Sequence, residues 1–535
     1  MTDTSENSQP SPADAAPGAE APQPSDQPLS QRVNNRSRQP TNKAFRDFIG
    51  SGWGPRPDAL PALSEAAPWA ARRQAALGAR FPGERLVVPA GTLVTRNTDC
   101  DYRFRPHSAF AHLAGTGTDF EPDAVLVLEP LTVPGQQLAD GEPTHEPVLY
   151  FRPRAPRTSE EFYANARYGE LWVGMRPSIE EVEAATGIRC AHIDTLGDAL
   201  AKDAGADGVR LRVVAEADTA VTALVDRVRR GAGLAAGQEA QGLDDALAEA
   251  TSELRLVKDA WEVDQLQKAV DATKAGLDDL IRSIPRAKGH WRGERVLEGA
   301  FGARAREEGN GLGYDTIAAA GDHANTLHWI NNDGPVQPGQ LVLVDAGVEV
   351  DSLYTADVTR TIPVDGRFTA PQRRVYEAVL EAADAAFARA GEPGCRFRDL
   401  HAAAMEVLAR RLEEWGLLPD GVTAADSLGP DGQYHRRWMV HGTSHHLGLD
   451  VHDCAQARRE MAMDAELVAG MVFTIEPGLY FRADDLRVPA ELRGMGVRIE
   501  DDVVMRGPGR PEYLTAEIPR RPDDVEAWVG GLIES

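Results

Sequence analysis

The sequence predicts an α/β protein of the α+β kind, built from two domains. Three observations carry that expectation. Short apolar runs alternate with helical stretches through most of the chain, one segment of small residues divides it near the middle, and a proline-rich start stands apart from both halves. At 535 residues the chain is long enough for two or three domains of roughly 150 to 200 residues each. Its 42% hydrophobic and 26% charged residues suit sizeable cores.

Residues 1–44 hold seven prolines and no Phe, Tyr or Trp. Such a stretch buries too little apolar surface to offset the entropy of ordering it, so a disordered tail is expected. From 45 to 230 the runs at 85–88 (RLVV), 124–128 (AVLVL), 148–151 (VLYF) and 209–214 (VRLRVV) read as strands. Ser178 followed by Glu181 is a capping-box pattern that starts a helix, and a second helix over 217–230 stops at Gly231. The small, polar stretch GAGLAAGQEAQG opens a linker over 231–257. The second domain is expected over 258–520, followed by an extension over 521–535. It begins with a long helix capped by Asp259, in which Val263, Leu266, Val270, Thr273, Leu277, Leu280 and Ile284 recur every three or four positions until Pro285. Thr369 and Gln372 form another capping box at the start of a later helix.

Acidic residues outnumber basic ones by 83 to 57, a net charge of −26. A polyanion is repelled by phosphate backbones and anionic bilayers, so neither nucleic acid nor membrane is an expected partner. No run approaches the roughly 18 apolar residues of a membrane span, and no secretory signal is expected from the first thirty residues. The four cysteines lie at least 59 positions apart, which suits a reducing cytoplasm and not a disulfide framework or a Cys-based zinc site.

The chemistry is concentrated in the second domain. LVLVDAGVEV runs four apolar residues into Asp345, SLYTADVTRTIPV sets Asp357 in a strand, MVFTIEPGLY places Glu476 after four apolar or β-forming residues, and GVRIEDDVV puts Arg498 and Glu500 on one strand face. One such acid is explained by capping a turn; four are not. Buried charges are paired or coordinate metals. The segment WMVHGTSHHLGLDVHDC adds His441, His445, His446 and His452. A zincin helix is excluded, because no glutamate follows the first histidine and Gly442 and Gly448 interrupt the stretch. One histidine with four carboxylates suits a two-metal site that activates water, and so oxygen-rich a set favours Mn²⁺, with Zn²⁺, Co²⁺ and Fe²⁺ left open.

The order Asp345, Asp357, His445, Glu476, Glu500 resembles the five-ligand set of the pita-bread metallopeptidases, which comprise methionine aminopeptidase, prolidase and Xaa-Pro aminopeptidase (aminopeptidase P). DAGVEVDSLYTADVTRTIPVDGRFT, HGTSHHLGLDVHD, TIEPGLY and GVRIEDD carry the resemblance over most of 340–505. Upstream, GYDTIAAAGDHANTLHWINND and TRNTDCDYRFRPHSAF are similar to aminopeptidase P, the latter to its N-terminal domain. The resemblance implies a pita-bread catalytic domain and a metal-dependent exopeptidase that cleaves Xaa-Pro-Zaa after the first residue. The alternatives are an Xaa-Pro dipeptidase (prolidase) and a binding module that has lost its ligands. All five ligands stand in this sequence, which favours catalysis.

By the same resemblance Asp345 chelates one metal, Asp357 and Glu500 bridge, and His445 and Glu476 hold the other. Glu476 carries a proton from the activated water to the leaving proline nitrogen. His441 and His452 hydrogen-bond the scissile carbonyl, His328 borders the substrate, and Arg498 orients Asp357 or Glu500. Tyr480 and Asp99 touch the substrate or close the site. His446, Cys454 and the loop residue His323 are expected to be structural, and Asp501 to point away from the Arg498/Glu500 face. Family members self-associate through the first domain, which implies a homo-oligomer, dimer or tetramer.

Overall fold

The computed structural model describes residues 42–98, 100–118, 120–131, 143–205 and 207–534, so most of the expected tail lies outside the described residues. The helix Lys43–Ile49, capped by Asn42, begins two residues before the tail's expected end.

Period-two alternation explains the first domain. Its five strands form one mixed sheet in the order Arg189–His192, His145–Phe151, Val125–Pro130, Glu84–Pro89, Arg210–Val213. The two outer pairings are parallel and the two inner ones antiparallel. Leu86, Val88, Leu126, Leu128, Leu149 and Phe151 enter one core, while Val87, Val125, Val127, Val148 and Tyr150 enter another on the opposite face. Both faces are therefore covered, and the strands read as continuous apolar runs for that reason. Helices Ala67–Gly78, Ser108–Ala114 and Ile179–Thr186 pack on the first face, and Leu196–Ala201 and Thr219–Gly231 on the second. The capping box at Ser178 and Glu181 is formed.

The expected linker is more structured than its composition suggests. Helix Gln241–Leu254 buries Leu247 and Ala250 in the first core, so this part packs with the N-terminal domain. Asp259 and Glu262 then form a capping box on helix Ala260–Arg282. Pro285 does not merely stop the chain; it sits in the first turn of a new short helix, Ile284–Lys288, where its missing N–H costs nothing.

In the second domain, Val358–Pro363, Leu341–Ala346 and Ile317–Ala320 form an antiparallel sheet in that order. A second antiparallel pair is interrupted half-way. Val472–Ile475 pairs with Asp501–Met505, and Gly478–Phe481 pairs with Met495–Arg498 in the same register. The interruption falls at Glu476 and Glu500, which that register sets opposite each other. Helices Ala260–Arg282, Gly293–Glu308, Ala370–Ala390 and Phe397–Glu414 contribute to the single core of this domain. The C-terminal stretch joins it: helix Pro522–Ile533 buries Val525 and Val529, and Trp528 donates to Asp278 at 2.7 Å.

Candidate metal centre and substrate cavity

Each acid reaches the site because a strand ends or breaks beside it. Asp345 lies near the end of Leu341–Ala346, and its cross-strand partner on the other side is Ile317. Asp357, expected within a strand, immediately precedes the observed strand Val358–Pro363. Between them Gly347 has no room for a side chain, since a Cβ there would stand 1.8 Å from the Ala356 carbonyl oxygen. Glu476 and Glu500 occupy the gap between the two paired halves of their strands. His445 comes from a stretch without helix or strand, 442–458, held by the Thr474 N–H donating to the His445 carbonyl at 2.9 Å.

Asp357, His445 and Glu500 present ligand atoms that all lie within 4.8 Å of one another. His445 Nε2 stands 3.3 Å from Asp357 and 3.9 Å from both Glu476 and Glu500. Its Nδ1 faces the His446 carbonyl at 3.1 Å. A carbonyl only accepts, so Nδ1 carries a hydrogen, which leaves Nε2, the nitrogen facing the acids, as the one that would bind a metal once its proton is displaced. Asp345 joins through Tyr314, whose hydroxyl lies 2.7 Å from Asp345 and also hydrogen-bonds Asp357.

Arg498 is the hub of the supporting contacts. It donates to Asp345, to Thr359 Oγ1 at 3.0 Å and to the Tyr480 hydroxyl at 3.0 Å. Thr359 passes the chain on to Glu500 at 2.7 Å. Arg498 therefore orients Asp345 directly and Glu500 through Thr359. Tyr480 lies 2.7 Å from His441 Nε2, and His441 Nδ1 lies 2.6 Å from the Gly442 carbonyl. Both nitrogens of His441 are thus engaged, with Tyr480 donating to Nε2. His452 stacks edge-on against His445 with ring centroids 4.5 Å apart, and among the described residues its ring nitrogens make no hydrogen bond.

Four acids against one arginine and one histidine leave the basin short of positive charge. Burial, with Asp357 and Asp345 adding to it against His445 and Arg498, pushes Glu476 up to about 8. Burial followed by repulsion from Asp357, Glu476 and Asp345 holds Glu500 well above the usual carboxylate range. Burial favours a neutral His445, yet the hydrogen bond and charge of Asp357 outweigh it and raise the ring to about 9. His441 moves the other way, to about 3, through burial and then Arg498. Oxygen donors crowded to the point of retaining protons fit divalent cations, which would displace those protons.

The basin floors a cavity of ≈ 580 Å³ lined by His328, His441, His452 and Arg498 and walled by Ile317, Leu327, Ile330 and Val451. Ten of the eleven candidate residues lie here or, for Tyr480, directly behind; Asp99 is outside the described residues.

Two parts of the sequence match known families, residues 264–507 the metallopeptidase family M24 and residues 69–210 the aminopeptidase P N-terminal domain. Xaa-Pro aminopeptidase 2 of Streptomyces coelicolor is 46% identical over 94% of this chain and 99% of its own. The chain belongs to metallopeptidase family M24. A second relative, Xaa-Pro aminopeptidase 1 of Streptomyces coelicolor, is 44% identical over 96% of this chain and 97% of its own. Among solved structures the Pseudomonas aeruginosa aminopeptidase PepP superimposes with a TM-score of 0.72 at 29% identity, covering 88% of this chain and 100% of that one. The M24 domain is accordingly the expected pita-bread fold behind an aminopeptidase P-type N-terminal domain, and family membership makes it a peptidase that uses divalent metal ions.

Within this M24 site the structural assignments of the sequence also find their places. His323 hydrogen-bonds Glu294 at 2.8 Å and stacks on Trp329. His446 stacks on Phe397, Asp501 pairs with Arg360 away from the basin, and burial pushes the Cys454 thiol up to about 12. Sequence reasoning missed Tyr314 and Thr359. Tyr314 lies three residues before Ile317, so its position follows only from the pairing of that strand with the one carrying Asp345.

Proposed function

We propose that the protein is a dinuclear metallo-exopeptidase that releases the first residue from peptides with proline in second position. One observation carries the reading: a complete five-residue donor set floors the cavity of a chain 44–46% identical, nearly end to end, to relatives named Xaa-Pro aminopeptidase. In this reading Asp345 holds one ion, Asp357 and Glu500 reach both, and His445 and Glu476 hold the other. The oxygen-rich set supports Mn²⁺. When bound, the ions supply a water of lowered pKa and an electrophilic pull on the substrate carbonyl.

The chain's own residues do the rest. Tyr314 and Arg498 fix the acids before substrate arrives, so little reorganisation is needed during the reaction. Glu476 moves the proton that the proline nitrogen must gain before it can leave. His452 has a ring nitrogen to offer the scissile carbonyl oxygen, whereas His441 does so only by releasing Tyr480 or Gly442. His328 and the apolar wall of Ile317, Leu327, Ile330 and Val451 take the residues on either side of the cut. Asp99, outside the described residues, stays in the proposal as a residue that touches the substrate or closes the site.

The same reading places the protein in the cytoplasm as a homo-oligomer, dimer or tetramer. Its free cysteines Cys190, Cys395 and Cys454 are consistent with reducing conditions. No helix among the described residues is long and apolar enough to cross a membrane. The N-terminal domain exposes Leu60, Leu63, Leu171 and Val173, each at least half exposed, apolar surface of the kind an interface covers.

The substrate assignment is tested with a tripeptide Xaa-Pro-Zaa and its parent dipeptide at equal concentration. Release of the first residue from the tripeptide with slow dipeptide hydrolysis is expected. Fast dipeptide cleavage with an inert tripeptide makes the protein a prolidase instead.

A further inference from the structure

The segment that carries both His445 and His452 belongs to no helix or strand. Near His445 it borrows from a strand, through Leu447 N–H to Val472 at 3.1 Å and Thr474 N–H to His445 at 2.9 Å. Near His452 only two backbone bonds support it, Thr355 N–H to Gly448 at 3.1 Å and Asp453 N–H to His446 at 2.9 Å, and side chains from outside the M24 match add to them. Asp453 accepts from Arg255 at 2.9 Å and from Lys258 at 3.0 Å. The side chains of Lys258, Asp453 and Arg255 are 0%, 1% and 7% exposed. Arg105 of the N-terminal domain donates to the Leu449 carbonyl while pairing with Glu349 at 2.7 Å, and Ser108 donates to Asp450.

The fit is close enough to restrict the chain. A Cβ on Gly448 would stand 2.2 Å from the Asp453 carboxylate and 2.9 Å from Lys258 Cε. Cys454, just beyond, is held at φ 62, a left-handed conformation that costs a non-glycine residue about 1 kcal/mol or more. Such strain persists only where the surroundings over-determine it. His452 is the residue between these restraints.

We propose that the N-terminal domain and the segment joining it to the catalytic domain position His452: Arg105, Ser108, Arg255 and Lys258 clamp residues 449–453, so that turnover depends on side chains that touch neither substrate nor metal. The proposal rests on the exopeptidase reading, in which His452 faces the scissile carbonyl. A misplacement of about 1 Å costs on the order of a hundredfold in rate, so a loosened clamp is visible in kcat before the fold is lost.

The test uses the full-length, Mn²⁺-loaded protein with Arg105→Ala and Ser108→Ala combined, a partly exposed and a small buried side chain that do not contact Asp453, so their loss leaves the buried Asp453 cluster intact. Bound metal equal to the parent's, KM within about twofold and kcat lower by about tenfold to a hundredfold on an Xaa-Pro-Zaa tripeptide are expected. Arg105→Lys, which keeps a donor, restores most of the rate. Unchanged kcat, or metal lost in step with activity, overturns the proposal. Lys258→Met gives the larger loss if it folds; if it does not, the Arg105/Ser108 variant decides. A parent protein inactive on the tripeptide refutes the exopeptidase reading and not the clamp. Amide hydrogen exchange over 447–454 then decides: faster exchange in the double variant supports it, and unchanged exchange overturns it.

Discussion

Two buried acidic clusters lie on either side of His452, and they solve the same electrostatic problem in opposite ways. Asp453 is surrounded by the chain's own cations, with Lys258 and Arg255 each on a carboxylate oxygen. Burial alone would push its pKa up, yet these two hold it well below the usual range. In the basin, Asp345, Asp357, Glu476 and Glu500 share one arginine and one histidine, and Glu476 and Glu500 are pushed up instead. Burying a charge without a partner is too costly to persist. The first cluster is complete as it stands and serves as an anchor; the second is complete only with added cations and serves as a centre for chemistry.

The sharpest way to break that contrast is to remove a charge from the incomplete cluster. Asp357→Asn replaces a carboxylate shared by Tyr314, His445 and the proposed ions with an amide, a poor bridge between cations. Loss of bound metal and a fall in activity of at least about a thousandfold are expected, since the whole metal contribution disappears. Metal analysis beside the peptide assay checks it. Chelation of the unmodified protein should give the same loss, reversed by Mn²⁺. Full activity in a metal-free sample removes the dinuclear reading.

His452 stands between the clusters and belongs to neither. His452→Ala removes a hydrogen-bond donor for the carbonyl oxygen while leaving all five donor residues. Activity should fall by about a hundredfold to a thousandfold, the usual effect of losing one donor to a developing oxyanion, with metal content near that of the parent. Loss of metal equal to that of Asp357→Asn places His452 among the ligands.

The contrast also marks what the sequence could disclose. The basin acids were readable because each interrupts an apolar run, a local signal that needs no knowledge of the fold. The capping boxes at Ser178, Asp259 and Thr369 were readable for the same reason and are all formed. The anchor was not, because Lys258 and Arg255 meet Asp453 across 195 and 198 residues of chain, and nothing near Asp453 distinguishes it from a solvated loop acid. Tyr314 escaped likewise, since its role follows from strand register. Helix Gln241–Leu254 was hidden by its small-residue composition; only the packing of Leu247 and Ala250 gives it a place. Local chemistry was legible, and long-range pairing was not.

The anchor makes its own prediction through pH. Asp453 has a depressed pKa in the folded protein, so its ion pairs contribute stability above the unfolded value of about 3.9 and lose it as the pH falls below that. Asp453→Asn keeps the shape but leaves Lys258 and Arg255 buried with one fewer counter-charge. At pH 7 the variant should be less stable by about 3 kcal/mol, the lower end of the cost of breaking a buried pair. The gap should hold down to about pH 5 and narrow below about pH 4, where the parent's own carboxylate begins to protonate on unfolding. Thermal unfolding of both proteins across that range measures it, with metal present so that the basin stays filled. A gap that persists unchanged at pH 3 shows that Asp453 contributes through its hydrogen bonds and not its charge. The two clusters would then differ in geometry alone.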